Sequence, residues 1–101
     1  MMCGGHSAPK LPTEEDNQFF ASCKTQIESF THREYSTFEV HHFTTQVVAG
    51  LIYWVAIKVD NNDYLHAKII KYLPQTGKEP QVVIVQSNKT QDDPFDINSE
   101  Q

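Results

Sequence analysis

The sequence predicts an α+β fold in which a single N-terminal α-helix packs across a four- to five-stranded antiparallel β-sheet. Apolar residues recur with helical spacing between residues 14 and 33, whereas from residue 38 onward they follow the period of two that is typical of strands. Short clusters of turn-forming residues separate the later apolar runs, so successive strands should be antiparallel. The length of 101 residues corresponds to about one domain. We therefore expect a single domain over residues 1–101, with a flexible N-terminal arm over residues 1–12, where glycine and proline are frequent.

The helix is expected to begin at about residue 14, directly after Thr13. Thr13 can act as the N-cap, and Asp16 stands three residues later, as in a capping box. The apolar side of the helix contains four residues spaced by four, four and three: Phe19, Cys23, Ile27 and Phe30. These side chains should cover the sheet, and the helix should end near Arg33.

Four strands follow, predicted over residues 38–48, 51–59, 64–72 and 81–86. The pair Ala49-Gly50, the polar cluster 60–63 and the segment 73–77 separate them as turns. On the second strand, alternate residues should face the helix: Tyr53, Val55, Ile57 and Val59. Ile52 and Trp54 would then face away from it and leave an apolar pair near the first hairpin.

Composition and hydropathy exclude several classes of partner. The 13 acidic and 8 basic side chains give a net charge of -5, and no segment is rich enough in Lys and Arg to follow a phosphate backbone, so nucleic acid is not expected. The longest nearly continuous apolar stretch, residues 47–57, is too short to span a bilayer, so no membrane partner is expected. Residues 1–6 lack the basic and apolar regions of a secretory signal, which favours a cytoplasmic location and leaves nuclear or extracellular presence open.

The residue types that carry catalysis or bind metals do not form a catalytic or ligand set. Cys23 lies on the apolar side of the helix, where a small buried side chain is the simpler interpretation, and Cys3 is on the arm. His41 and His42 are adjacent on a strand and should point to opposite faces, and no Cys or His pair has zinc-ligand spacing. A glycine-rich phosphate loop is also absent, so the sequence predicts no catalytic residue, no metal site, no cofactor and no enzyme.

The segment Gln46-Val47-Val48-Ala49-Gly50 is unusual because small apolar residues occupy a hairpin tip, where polar residues are typical. Two interpretations fit this pattern. The tip could be an exposed docking surface, or it could be a short strand junction inside the core.

These five residues match the QVVAG motif in the first hairpin of cystatins, and the chain as a whole resembles the stefins, the short type 1 cystatins. The resemblance also includes the start Met1-Met2-Cys3-Gly4-Gly5, the pattern Tyr64-x-His66-x-Lys68 and the pair Leu73-Pro74 in the second hairpin. It implies the cystatin fold, with one helix across an antiparallel sheet.

Stefins are reversible, tight-binding competitive inhibitors of papain-like cysteine proteases such as the lysosomal cathepsins L, S, H and B, so the resemblance implies this activity here. It also implies that the N-terminal arm and the two hairpins form a three-part wedge that fills the protease cleft. By the family pattern, the protease-binding residues are Met2, Cys3, Gly4, Gln46, Val47, Val48, Ala49, Gly50, Leu73 and Pro74. A monomer is expected, and a domain-swapped or Cys3-linked dimer is possible.

Three residues depart from the stefin pattern. Leu51-Ile52 stand where polar residues usually follow the QVVAG motif, and Tyr72 precedes Leu73-Pro74 in place of a smaller residue. The apolar pair supports an alternative function, a non-inhibitory cystatin-like module that self-associates through the first hairpin. The sequence also leaves open whether Gly4 or Gly5 is the pivot of the arm, and we take Gly4.

Overall fold

A computed structural model describes residues 7–96 of the chain. Within these residues, two helices pack on one face of a four-stranded antiparallel sheet with the strand order β1-β2-β3-β4, which confirms the predicted α+β fold. The helices are α1 (Glu14–Ser22) and α2 (Lys24–Thr31), and the strands are β1 (Phe38–Val48), β2 (Gly50–Val59), β3 (Tyr64–Tyr72) and β4 (Gln81–Lys89). Each strand pairs with the one before it, so the sheet is a meander. Neither helix is long and apolar enough to cross a membrane, and this holds for the whole described range.

The predicted cap at the start of the first helix is confirmed. The Thr13 hydroxyl accepts a hydrogen bond from the backbone N–H of Asp16 at 3.1 Å, and the Asp16 carboxylate accepts one from the N–H of Thr13 at 3.0 Å. This capping box satisfies backbone donors that have no partner within a helix. The negative charges of Glu14, Glu15 and Asp16 also favour this end of the helix dipole.

The predicted helix is present in two parts that meet at Cys23. The Ser22 hydroxyl donates to the carbonyl of Phe19 at 2.6 Å, and the Cys23 N–H donates to the carbonyl of Phe20 at 3.0 Å. A serine hydroxyl that bonds to a helix carbonyl competes with the regular backbone bond and bends the helix. Regular bonding resumes in α2, where the N–H of Ile27 donates to the carbonyl of Cys23 at 3.1 Å.

The side of α2 that is buried differs in part from the sequence prediction. The helix ends at Thr31, close to the predicted end near Arg33, because His32 adopts the left-handed conformation with φ of 58°. The sequence predicts Phe30 on the buried side, but 48% of its surface is exposed, so this prediction is wrong. Because the chain leaves the helical path at His32, the next aromatic residue, Tyr35, reaches the core at this end instead.

The core lies between the helices and the inner face of the sheet. Alternate residues of β2 form this face as predicted: Tyr53, Val55, Ile57 and Val59. From the helices, Phe20, Cys23 and Ile27 are buried in the same cluster. Burial raises the pKa of the Cys23 thiol, which therefore stays protonated at neutral pH and packs as a small apolar side chain.

The outer face of the sheet is covered in part by a segment near the C-terminus. Ile52 and Trp54 lie on this face, as predicted, but Trp54 is fully buried because Phe95 lies over it with ring centroids 6.1 Å apart. Ile52 is half-buried. The expected exposed apolar pair is therefore wrong for Trp54, because a segment distant in sequence covers it.

The side chain of Gln26 ties α2 to the start of β4. Its amide nitrogen donates to the carbonyl of Pro80 at 3.0 Å, and its oxygen accepts from the N–H of Val82 at 2.9 Å. One amide group thus satisfies both a donor and an acceptor of the strand backbone. This connection fixes the helix relative to the end of the sheet that carries the turn between β3 and β4.

Substitution of two α2 residues by Ala tests the assignment of the buried side. We expect Ile27→Ala to lower the free energy of unfolding by about 2–5 kcal/mol, because the side chain is fully buried. Phe30→Ala should change it by less than about 1 kcal/mol, because half of this side chain is exposed. Urea unfolding at neutral pH measures both values, and equal losses in the two variants would contradict the assignment.

Candidate functional site

The first and second hairpins lie at the same end of the sheet. In a meander, alternate turns fall at the same end, so the β1–β2 and β3–β4 turns share one end and the β2–β3 turn, Asp60–Asn62, lies at the other. The register places Val48 opposite Gly50, and Gly50 opposite Tyr72. The tip of the first hairpin is therefore beside the chain that enters the second turn, Pro74–Thr76.

The two tips carry exposed apolar side chains. Val47 is 68% exposed, Val48 47% and Leu73 39%. Ala49 and Pro74 are exposed as well, whereas Gln46 is half-buried and Gly50 is buried. Of the two interpretations of the QVVAG segment, the exposed tip is confirmed and the junction inside the core is wrong. A groove of about 370 Å³ between the hairpins is lined by Val47, Val48, Gly50, Leu51, Lys71, Tyr72, Leu73 and Pro74.

Gly50 allows the two hairpins to approach each other this closely. Its φ is +123°, a conformation that residues with side chains rarely adopt. A Cβ atom at this position would lie 2.5 Å from the carbonyl oxygen of Lys71, so the backbone would have to shift. The glycine that ends the QVVAG segment is therefore required by the packing of one hairpin on the other.

The second tip is held by short-range hydrogen bonds. The carbonyl of Leu73 accepts from the N–H of Thr76 at 3.0 Å and from the Thr76 hydroxyl at 2.8 Å. Pro74 restricts φ at the start of this turn, and Gly77 ends it in the left-handed conformation with φ of 70°. The exposed Leu73 side chain is therefore presented by a turn that is already ordered.

Tyr72 is anchored at the base of the second hairpin. Its hydroxyl donates to the Gln81 side-chain oxygen at 3.2 Å, and the ammonium group of Lys78 lies 5.1 Å from the centre of its ring. The ring is half-buried and lines the groove between the hairpins.

Residues 7–10 pair with the free edge of β1. Lys10 exchanges two backbone hydrogen bonds with Phe43, at 2.8 and 3.0 Å, and the N–H of Ser7 donates to the carbonyl of Thr45 at 2.8 Å. The Ser7 hydroxyl also accepts a hydrogen bond from the Thr45 N–H at 3.1 Å, in the place that a strand carbonyl takes in a regular ladder. The sequence predicts a flexible arm up to residue 12, whereas this part of it is hydrogen-bonded to the sheet.

The arm is directed toward the first hairpin. Going from Lys10 to Ser7, it advances along β1 from Phe43 to Thr45, in the direction of Val47. The three arm residues named in the sequence prediction lie outside the described residues, so their role stays a prediction: Met2, Cys3 and Gly4.

The chemistry available at this end of the sheet is that of binding. Exposed apolar side chains on ordered hairpins can bury surface in a complementary cleft. In the part of the chain from residue 7 to residue 96, no three His, Cys, Asp or Glu side chains are arranged to hold a metal ion.

Comparison with known proteins identifies the family. No family model matches the chain. The chain is 36% identical to Cystatin-A1 of Sus scrofa, 37% to Cystatin-A of Felis catus and 32% to Cystatin-B of Bos taurus, each over 93 residues. These alignments cover 92% of this chain, 90% of the first relative and 95% of the other two. The chain belongs to the stefins, the type 1 cystatins. This stefin is not an enzyme. Another relative, 32% identical and also from Sus scrofa, is named leukocyte cysteine proteinase inhibitor 1.

Two features of the site in this stefin were missed by the sequence analysis. Lys71 acts through its backbone carbonyl, which limits residue 50 to glycine, and a backbone atom leaves no signal in the side-chain pattern. The pairing of Ser7 with Thr45 was missed because residues 1–12 show no strand period. The hydroxyl of Ser7 within a Gly- and Pro-rich arm was the one available signal, since serine often bonds to nearby backbone groups.

Replacement of Gly50 or Gly77 by Ala tests the close packing of the hairpins. We expect Gly77→Ala to lower the free energy of unfolding by about 1–2 kcal/mol, because its left-handed conformation is strained for Ala but no atom lies within 4 Å of the new Cβ. Gly50→Ala should lower it more, because the overlap with the Lys71 carbonyl is added to the strain. Thermal unfolding of both variants measures the difference, and equal losses would contradict the proposed packing role of Gly50.

Proposed function

We propose that this stefin is a reversible, tight-binding competitive inhibitor of papain-like cysteine proteases. Its binding segments are the N-terminal arm and the two hairpins, which enter the active-site cleft together as a wedge. The observation that carries the proposal is the adjacent placement of two exposed apolar tips, around Val48 and Leu73, at one end of the sheet. The names of the relatives, which are cystatins and a cysteine proteinase inhibitor, support the same activity.

The tips have the properties that a cleft-filling inhibitor needs. Burial of Val47, Val48 and Leu73 against a protease would contribute about 25 cal/mol per Å² of apolar surface removed from water. The packing at Gly50 and the hydrogen-bonded second turn order the tips before binding, which lowers the entropic cost of association. Protease inhibitors commonly bury roughly 800 Å² per partner, so several segments are needed to supply the contact area.

The third binding segment is proposed to contain Met2, Cys3 and Gly4. The pairing of Ser7 with Thr45 supports this proposal, because it holds the beginning of the described chain beside the first hairpin. Gly4 is the proposed pivot, since glycine lets a backbone bend and approach a partner closely. The three segments would occupy the cleft on both sides of the catalytic cysteine without placing a peptide bond for attack.

The proposed partners are cathepsins L, S, H and B, and the proposed location is the cytoplasm. The working form is proposed to be a monomer. Opening of the turn Val48-Ala49-Gly50 would join β1 and β2 into one long strand that can exchange between two chains, and Cys3 could link two chains through a disulfide. Strand exchange would remove the first hairpin tip and with it one binding segment.

The alternative, a non-inhibitory module that self-associates through the first hairpin, receives less support. Leu51 packs against the core, and Trp54 lies beneath Phe95. The apolar surface next to the tip is therefore covered in part, since Leu51 and Ile52 are half-buried and Trp54 is fully buried, whereas Val47 and Val48 at the tip stay exposed. Failure of a verified folded monomer to inhibit any papain-like protease would favour the alternative.

Titration of active papain with the purified chain under reducing conditions tests the inhibitor function. We expect stoichiometric, reversible loss of hydrolysis of a fluorogenic peptide. Val48→Asp should weaken inhibition by about 100-fold or more, because the new carboxylate would lose its hydration in the cleft. Phe30→Asp is the matched control, since Phe30 is equally exposed but lies on α2 away from the hairpins. Unchanged inhibition by Val48→Asp, or an equal loss in the control, would refute the role of the tip.

The positioning of the arm is tested by Ser7→Ala in two backgrounds. In the full chain we expect inhibition to weaken several-fold, because the Thr45 N–H loses its acceptor and the arm loses its register on β1. In a chain that lacks residues 1–6, the same substitution should have little effect, since the proposed binding residues are already gone. Ser7→Thr keeps the hydroxyl and should restore inhibition. Equal effects in both backgrounds would show that Ser7 acts on the fold and not through the arm.

A further inference from the structure

The segment after β4 lies across the outer face of the sheet, opposite the helices. We call residues 90–96 the C-terminal strap. The ring of Phe95 has its centroid 4.6 Å from the ring of His66, 5.2 Å from that of His42 and 6.1 Å from that of Trp54. One aromatic side chain of the strap therefore contacts β1, β2 and β3 together.

The surface beneath the strap contains buried polar atoms without hydrogen-bond partners. His66 and Trp54 are 0% exposed, and within residues 7–96 neither ring nitrogen of His66 nor the indole nitrogen of Trp54 has a partner. The side-chain oxygen of Gln86, opposite His66 on β4, is buried without a partner as well. Burial of a polar atom without a hydrogen-bond partner costs free energy, because the atom would bond to water if it were exposed. Opening of the strap would give them that water.

The strap can leave the sheet without disturbing the strands. Two of its hydrogen bonds are internal: the Thr90 N–H donates to the Asp93 carboxylate at 2.8 Å, and the Asp93 N–H donates to the Thr90 carbonyl at 3.3 Å. The bond to the sheet from the Tyr64 hydroxyl to the Gln91 side-chain oxygen is long, at 3.4 Å. Phe95 therefore provides the contact on which closure depends.

We propose that the C-terminal strap is a pH-sensitive cover, closed over His66 and Trp54 at neutral pH and opened in acid by protonation of His66. The closed strap offers the His66 ring an aromatic side chain in place of water. An aromatic face attracts a cation, but this attraction is smaller than the hydration that a fully buried imidazolium would lose.

The charges that face His66 act in both directions. The pKa of His66 is lowered from its ordinary 6.5 to about 4, first by burial and then by Lys89 on β4, with a further contribution from His42 on β1, whereas Asp93 on the strap raises it. The pKa of Asp93 is itself lowered, first by the hydrogen bond from the Thr90 backbone, so this carboxylate keeps its charge in mild acid. The charge of Asp93 therefore raises the pKa of His66 in the closed form, but by less than burial lowers it.

The pKa of His42, like that of His66, is lowered. Burial lowers its pKa, the neighbouring His41 lowers it further, and Asp92 on the strap opposes both. The Nδ1 atoms of His41 and His42 lie 2.8 Å apart, so a charge on His41 disfavours a charge on His42. The strand is irregular between Val40 and His42 and both rings lie on this face, so the expectation that they point to opposite faces is wrong. The remaining titratable groups on this face are Tyr64 and Lys68 on β3, Lys58 on β2 and Glu39 on β1.

The direction of the pH dependence follows from these pKa values. In the open form His66 is hydrated and its pKa rises toward the ordinary 6.5, although Lys89 and His42 on the sheet still oppose its charge. The open form therefore binds more protons than the closed one. The contribution of His66 to closure is fully present above pH 6.5 and is lost as the pH falls toward about 4. Below that pH, His66 is protonated in both forms and no longer changes the balance between them. Across this window the ratio of closed to open chains should fall by up to about 300-fold.

Trp54 is the single tryptophan of the chain, so its accessibility reports on the strap. We expect the acrylamide quenching constant of its fluorescence to rise several-fold from pH 7 to pH 4, while the far-UV circular dichroism of the same samples stays unchanged. Phe95→Ala should give a high quenching constant already at pH 7. His66→Gln, which cannot be protonated in this range, should abolish most of the rise. His32→Asn is the control and should retain the rise, because His32 is exposed directly after α2 and Asn tolerates its left-handed conformation.

Three results would overturn the proposal. The first is a quenching constant that stays low down to pH 4, and the second is an unchanged rise in His66→Gln. The third is loss of circular dichroism over the same pH range, which would mean that the sheet unfolds rather than the strap opening. If His66→Gln does not fold, an NMR titration of the parent chain decides: a His66 ring that titrates at its ordinary pKa while Trp54 stays protected would refute the proposal. None of these results depends on protease inhibition.

Discussion

Burial of β2 on both faces is the constraint on which the rest of this structure depends. Residues 53–57 are all buried, which is unusual for a sheet with helices on one side only. Val55 and Ile57 face the helices, while Trp54 lies under the C-terminal strap. A shift of the pairing by one residue would exchange the two faces of the strand, so the packing on both sides specifies a single register.

That register also decides where the apolar tips lie. With β2 held between β1 and β3, Gly50 has Val48 on one side and Tyr72 on the other, and the two turns that flank these residues come together. The exposed surface of the hairpins is therefore a consequence of core packing, although none of the exposed side chains belongs to the core. The Lys71 carbonyl makes the arrangement specific, because only a residue without a Cβ fits against it.

The two ends of the described chain complete the sheet in different ways. Residues 7–10 bond to the backbone groups of Phe43 and Thr45 at the edge of β1, which also protects this part of the edge from pairing with another chain. The strap covers a face rather than an edge, and it does so through one aromatic ring over histidines. The pairing of residues 7–10 depends mainly on backbone hydrogen bonds, which acid does not change. The closure of the strap depends on the contact of Phe95 with His42 and His66, whose rings can be protonated.

The sequence by itself determined the features that short-range chemistry specifies. The cap at Thr13 needs a partner only three residues away, and the alternation of Tyr53, Val55 and Ile57 assigns one side of β2 to the core whatever covers it. The two hairpin tips were recognisable because a small apolar turn and a Leu-Pro turn are local patterns. Only the tertiary structure decided that Phe30 stays exposed, while Tyr35 from the following segment is buried in the core. The cover over Trp54, the pairing of Ser7 with β1 and the carbonyl facing Gly50 were likewise decided there. Periodicity states which side of an element is apolar, but the segment that meets this side lies far away in the chain, and only folding brings the two together.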